Sequence, residues 1–131
     1  MKRDMDLIRE LMFKLEELPL RPGAIATLKP STPEIQVEGY SHEQIQYHLD
    51  LIKKAGFIET PGTGPLIGMH FKSISWSGHD FIDSVRSKEI WEKTKQGAEA
   101  AGGFTVDLLK ALAKGFVKKQ IEDRTGVQLD L

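Results

Sequence analysis

Apolar residues recur with helical spacing at the start of the chain. Met5, Ile8, Met12 and Leu15 follow one another at i, i+3, i+7 and i+10, and Leu11 and Leu18 widen the stripe. That period predicts a helix with one buried face. Asp4 or Asp6 can cap its start. Pro19 stops it, because the residue before a proline avoids the helical region. The following LRPGAIATLKPSTP carries three prolines and a glycine and reads as loop. EIQVE alternates, with Ile35 and Val37 on one side, and predicts a short strand.

A second helix begins at Ser41, an N-cap whose partner three residues on, Gln44, completes a capping box. Ile45, Leu49 and Ile52 share its inner face, with half-buried His48 beside them, and Gly56 is placed to end it. FIET and LIGMHFKSISW predict two strands, the second ending near Ser75, around the turn cluster PGTGP. Together they form a hairpin with a projecting tip. Ser75 or Ser77 caps a further helix with Phe81, Ile82 and Val85 inward. Trp91 falls out of phase with that stripe, so a break is expected near Ser87. EIWEKTKQGAEAA continues as helix to Gly102–Gly103. Thr105 then caps a last helix, whose apolar positions are Leu109, Leu112, Ala113, Phe116, Val117 and Ile121, with Gly126 as its stop.

Length and charge narrow the classes. The chain has 131 residues, 18 basic and 19 acidic, for a formal net charge of -1. One domain over residues 1–131 is the simplest reading, with a core over 1–86 and a C-terminal helical extension over 87–131. The charge balance counts against a non-specific nucleic-acid binder. No cysteine is present, which removes disulfides and thiolate metal sites. The charged start MKRDMDLIRE has no apolar core of a signal peptide, and no apolar run approaches spanning length. A cytoplasmic protein that does not bind membranes is the expectation.

YHLDLIKKAGFIE resembles the end of the recognition helix and the first wing strand of bacterial winged-helix repressors. ISWSGHDFI resembles the segment where their last wing strand meets the next helix. MKRDMDLIR, GYSHEQIQYHLDLIKKAGFIE, SWSGHDFIDSVR and IWEKTK together resemble a family of small uncharacterised proteins common in phages and prophages. The resemblance runs from Met1 to about Thr94 and implies architecture and setting, not an activity. The expected fold is α+β and mainly helical: a winged-helix-like domain with a C-terminal helical extension. One departure matters. The prolines at 19, 22, 30 and 33 leave room for at most a short helical turn near Ala24–Leu28, so the positioning helix of a helix-turn-helix is absent or reduced.

Three surfaces can carry function. The first is the outer face of the second helix. There Ser41, Glu43, Gln44, Gln46, Tyr47, Lys53 and Lys54, with Lys72 from the hairpin, could meet double-stranded DNA. Gln bridges adenine and Lys or Tyr holds phosphates. Glu43 and Asp50 repel phosphates, and a plain solvated face explains the same residues. The second is the hairpin tip. It carries Leu66, Ile67 and Met69 where a minor-groove wing carries Arg or Lys, which suits core packing or a protein contact equally. The third is the last helix, where Leu109, Leu112, Phe116 and Val117 can contact a partner or a second copy, or simply close the core. Lys110, Lys114, Lys118 and Lys119 fall on its other faces.

Catalysis is not expected. His42 and His48 lie about 120° apart around their helix, and His70 and His79 have no acidic pair tied to them, so no metal site is expected. PGTGP lacks the Lys–Ser/Thr of a phosphate loop. No nucleophile elbow is present, and no cofactor is expected. Two functions remain: a non-catalytic DNA-binding regulator, or a protein-interaction module such as an inhibitor or adaptor of a host or phage protein.

Overall fold

The computed structural model describes residues 1–103 and 105–129. Among them it is α+β and mostly helical, with five α-helices and two small antiparallel sheets. The chain forms two compact units, residues 1–80 and 81–131.

The first unit is built on helix α1, Met5–Glu17. Asp4 caps it by accepting the Leu7 N–H at 3.2 Å. Met5, Leu7, Ile8, Leu11, Met12 and Leu15 are all buried. Full burial of each such side chain contributes about 1.5–3 kcal/mol, far more than intrinsic helix propensity supplies. Leu18 leaves the helix with extended geometry, φ -61 and ψ 130, as a residue before proline should.

Two expectations for the next stretch are corrected. Strand β1 occupies Ala26–Leu28, where loop with room for at most a short helical turn was expected. EIQVE is not a strand, because Pro33–Ile35 forms a 3-10 turn. The reason is local hydrogen bonding. The Lys29 N–H donates to Thr32 Oγ1, and Gln36 Nε2 donates to the carbonyls of Pro30 and Thr32. The loop is thereby folded on itself, and Ile35 enters the core from a turn. No full positioning helix stands between α1 and the next helix.

That helix, α2, spans His42–Lys54 and buries Ile45, His48, Leu49 and Ile52. Strands β2 (Ile58–Glu59), β3 (Met69–Phe71) and β4 (Ser73–Ile74) follow. β3 pairs antiparallel with β1, placing Leu28 opposite Met69 and Ala26 opposite Phe71. β2 pairs antiparallel with β4, placing Ile58 opposite Ile74 and Glu59 opposite Ser73. Lys72 also donates its N–H to the Glu59 carbonyl. Two residues thus oppose one, which is a β-bulge. The bulge shifts the apolar phase from Met69 and Phe71 to Ile74 and turns Lys72 outward.

Gly68 is required where the hairpin meets β1. Its φ is +94, and a Cβ there would collide with the Leu28 carbonyl. Gly78, in the first turn of helix α3 (Trp76–Val85), lies equally close to the Phe57 carbonyl. Ser75 caps α3 by accepting the Gly78 N–H.

In the second unit, Phe81, Ile82 and Val85 are buried. Helix α4, Lys88–Ala100, starts at Ser87, which accepts the Ile90 N–H. This is the expected break, and it brings Trp91 into the core. Thr94 is buried too, its hydroxyl donating to the Ile90 carbonyl. Helix α5, Val106–Thr125, starts from the Thr105 cap and ends at Gly126 in left-handed geometry. It packs along α4, with Leu112 against the backbone of Gly97.

Candidate functional site

The outer side of α2 and the hairpin beside it hold most of the candidate residues. Ser41 accepts the Gln44 N–H at 3.2 Å, and the Gln44 Oε1 accepts the Ser41 N–H at 2.8 Å. The capping box is complete, so the Gln44 side-chain oxygen is already occupied. Gln46 is engaged at both ends. Its Nε2 donates to Asp50 at 3.1 Å, and its Oε1 accepts the Gly68 N–H at 3.0 Å. The second bond ties the hairpin's return strand to α2 across 22 positions of sequence. Both glutamines proposed as base readers therefore have structural partners.

The charges on α2 are ordered along its axis. Glu43 lies in the first turn, and Lys53 and Lys54 in the last. All three are exposed. That order complements the helix dipole, which favours acids at the N-terminus and bases at the C-terminus. Tyr47 is exposed and meets the His48 ring edge-on at 5.6 Å. Lys72 stands outward on the bulge.

His48 is not half-buried as expected. It is 1% exposed. Its Nε2 accepts the Asp4 N–H at 2.8 Å, and its Nδ1 lies 2.7 Å from the Gln44 carbonyl. An N–H donor on one side and a carbonyl on the other fix the neutral tautomer with the proton on Nδ1. The Asp4 carboxylate caps α1 with one oxygen and accepts the Tyr40 hydroxyl at 2.8 Å with the other. Burial, then the hydrogen bond to Asp4 and its charge, push the Tyr40 phenol up to about 12. This network joins the start of α1 to both ends of the α2 cap. Tyr40 had no sequence signal beyond standing before the cap.

The hairpin divides its apolar residues. Met69 is buried in β3, whereas Leu66 is fully exposed and Ile67 is 62% exposed. Trp76, unremarked in the sequence, is 86% exposed at the start of α3. The loop, α2 and β3 enclose a recess of about 300 Å³ lined by Gln46, Asp50, Lys53, Leu66 and His70. His79 lines a different recess.

In the second unit, Leu109 is buried, and Leu112, Phe116 and Val117 are half-buried. Phe116 and Ile90 floor a recess of about 530 Å³ rimmed by Glu89, Lys93, Lys119 and Arg124. The Lys110 side chain lies outside the described residues.

A family model described as "Hypothetical protein (DUF2513)" matches residues 2–104. The chain belongs to the DUF2513 family. The matched span takes in the first unit and α4 and ends just before α5. A Haemophilus influenzae protein described as uncharacterized is 27% identical over 124 residues, covering 92% of this chain and 99% of the relative. No solved structure matches. Two stretches carrying the sequence resemblance, MKRDMDLIR and GYSHEQIQYHLDLIKKAGFIE, are physically joined in this DUF2513 chain by the Asp4–Tyr40–His48 network. Among the described residues, no group of three or more His, Asp or Glu is placed to hold a metal ion. No described helix is long and apolar enough to cross a membrane.

Proposed function

We propose that residues 1–80 form a winged-helix-like unit, in the phage or prophage setting its resemblance implies, that contacts a protein partner through its wing. The element order supports the winged-helix reading: helix, strand, turn, helix, strand, loop, strand. The 3-10 turn stands where a positioning helix would. The observation that carries the protein reading is the exposure of Leu66 and Ile67 on a loop whose return is pinned by Gln46. Thr60–Met69 contains no charged residue. A wing that enters the minor groove needs cations at its tip. Apolar side chains held in water by a fixed loop suit a protein surface.

The α2 face argues the same way. Recognition helices meet bases with their N-terminal residues. Here that end exposes Glu43 and follows Glu38, and the lysines stand at the far end. The test pairs a selection from random double-stranded DNA with a photo-crosslinking residue at position 66 or 43. The expected result is no enriched sequence, and a discrete protein adduct from position 66 that Ile67→Asp abolishes. An enriched sequence whose binding falls with Lys53→Ala, Lys54→Ala or Lys72→Ala establishes the DNA-binding regulator instead.

A further inference from the structure

A second recess in the first unit is not used by the wing. It measures about 430 Å³ and lies where α1 ends against β3 and β4. Leu15, Leu18, Phe71 and Ile74 line it. Pro19 takes Leu18 out of the α1 stripe, so it stays half-buried beside the opening.

The recess exists because a ladder stops. The β1–β3 pairing ends at Ala26–Phe71. The chain before β1 turns instead, with the Ala24 N–H donating to the Arg21 carbonyl at 3.0 Å. β4 therefore pairs with β2 alone, and among the described residues no strand lies beside its other edge. Unpaired strand edges accept extended chains.

The rim is basic. Arg21, Lys72 and His79 line it, against one carboxylate, Glu16. All three basic residues are exposed, and no ion pair with them is present among the described residues. The bulge turns Lys72 toward this side. In a chain of net charge -1, Arg21 and Lys72 make a local cationic rim over an apolar floor.

We infer that this recess receives an extended acidic–apolar segment of a protein partner. Its apolar side chains enter the floor, its carboxylates face Arg21 and Lys72, and its backbone lies along the open edge of β4. The inference rests on the reading of the first unit as a protein-binding module and names the chemistry of what it binds. Charge complementarity selects an acidic segment over a basic one. The open strand edge selects a peptide over a compact anion.

The full-length protein is titrated with a fluorescent peptide of alternating Glu and Leu, with its Lys–Leu counterpart, with dodecanoate and with a double-stranded oligonucleotide. The Glu–Leu peptide is expected to bind. Its affinity is expected to fall at least about tenfold in Arg21→Glu/Lys72→Glu, because two attractions become repulsions. Circular dichroism checks that this variant is folded, and Leu18→Arg, which fills the floor, is a second test of the same site. Lys114→Glu, at an exposed position of α5, is expected to leave binding unchanged. Equal binding of the Lys–Leu peptide, indifference to both rim and floor variants, or displacement by dodecanoate or the oligonucleotide overturns the inference. No peptide binding together with an intact adduct from position 66 removes the recess alone. An enriched DNA sequence removes the protein reading with it.

Discussion

Helices α2 and α5 both begin at a hydroxyl cap and end near a left-handed glycine, yet their faces meet different surroundings. α2 has thirteen residues, and its inner side chains Ile45, Leu49 and Ile52 have no exposure. Its polar groups are held as well: His48 by Asp4, Gln46 by Gly68, Gln44 by Ser41. α5 has twenty residues, and of its predicted contact residues only Leu109 is fully buried. Phe116 and Val117 are half-covered, and Ile121 is 37% exposed. An apolar stripe says that a helix wants a neighbour. How many neighbours it finds depends on what the rest of the chain brings to it.

The largest expected difference between the two helices lies in their cores. Leu49→Ala should cost about 2–5 kcal/mol, the range for emptying a fully buried leucine site. Ile121→Ala should stay within about 0.5 kcal/mol, as surface substitutions do. Urea unfolding of both variants measures the contrast. A cost at Ile121 approaching that at Leu49, growing with protein concentration, would mean that a second copy covers α5 in solution.

The next effect is a pH dependence centred on the α1–α2 network. The Tyr40 phenol is raised from 10.0 to about 12, so the folded state holds its proton more tightly than the unfolded chain. That contribution is fully present below about pH 10, the unfolded phenol's value, and is lost as pH rises toward 12. Thermal melts between these limits should show a decline that Tyr40→Phe reduces. An identical decline in both proteins would place its cause elsewhere.

Smaller still are the caps. Ser41→Ala and Thr105→Ala should each cost about 1 kcal/mol. Each removes a side-chain acceptor from a helix start, at Gln44 or Leu108. Ser41 belongs to a reciprocal box, so its loss should also free Gln44. Equal costs in chemical denaturation would show that the second bond of the box adds little.

Gln46→Ala is expected to change global stability least and local opening most. It removes the acceptor of the Gly68 N–H, so hydrogen exchange at Gly68 should quicken while exchange in α1 stays unchanged. Unchanged exchange at Gly68 would show that the glycine's contact with β1, not Gln46, holds the hairpin.

The sequence by itself determined most of the helices, because their signals are local. An apolar stripe at helical spacing, a capping oxygen before it and a glycine or proline after it specify α1, α2, α4 and α5 without reference to distant residues. β2 and a later strand were legible from the glycine-rich turn between apolar runs, but not the division of that later strand into β3 and β4 or the pairing of β3 with β1. Tertiary structure decided what no local pattern encodes. It put a strand at Ala26–Leu28, because Met69 and Phe71 supply a ladder there. It made EIQVE a turn, because Gln36 and Thr32 satisfy its carbonyls and amides locally. It buried His48, because Asp4 arrives 44 residues away to bond its ring. It also decided which candidate side chains are engaged by other parts of the chain. Gln44 and Gln46 read alike as exposed amides in sequence, and only the fold shows the Gln44 side-chain oxygen engaged in a cap and both ends of Gln46 engaged by Asp50 and the hairpin, with Leu66, Ile67 and Trp76 left in water. Periodicity reports which side of a helix is apolar. Which polar groups on the other side remain available depends on contacts made across long stretches of chain.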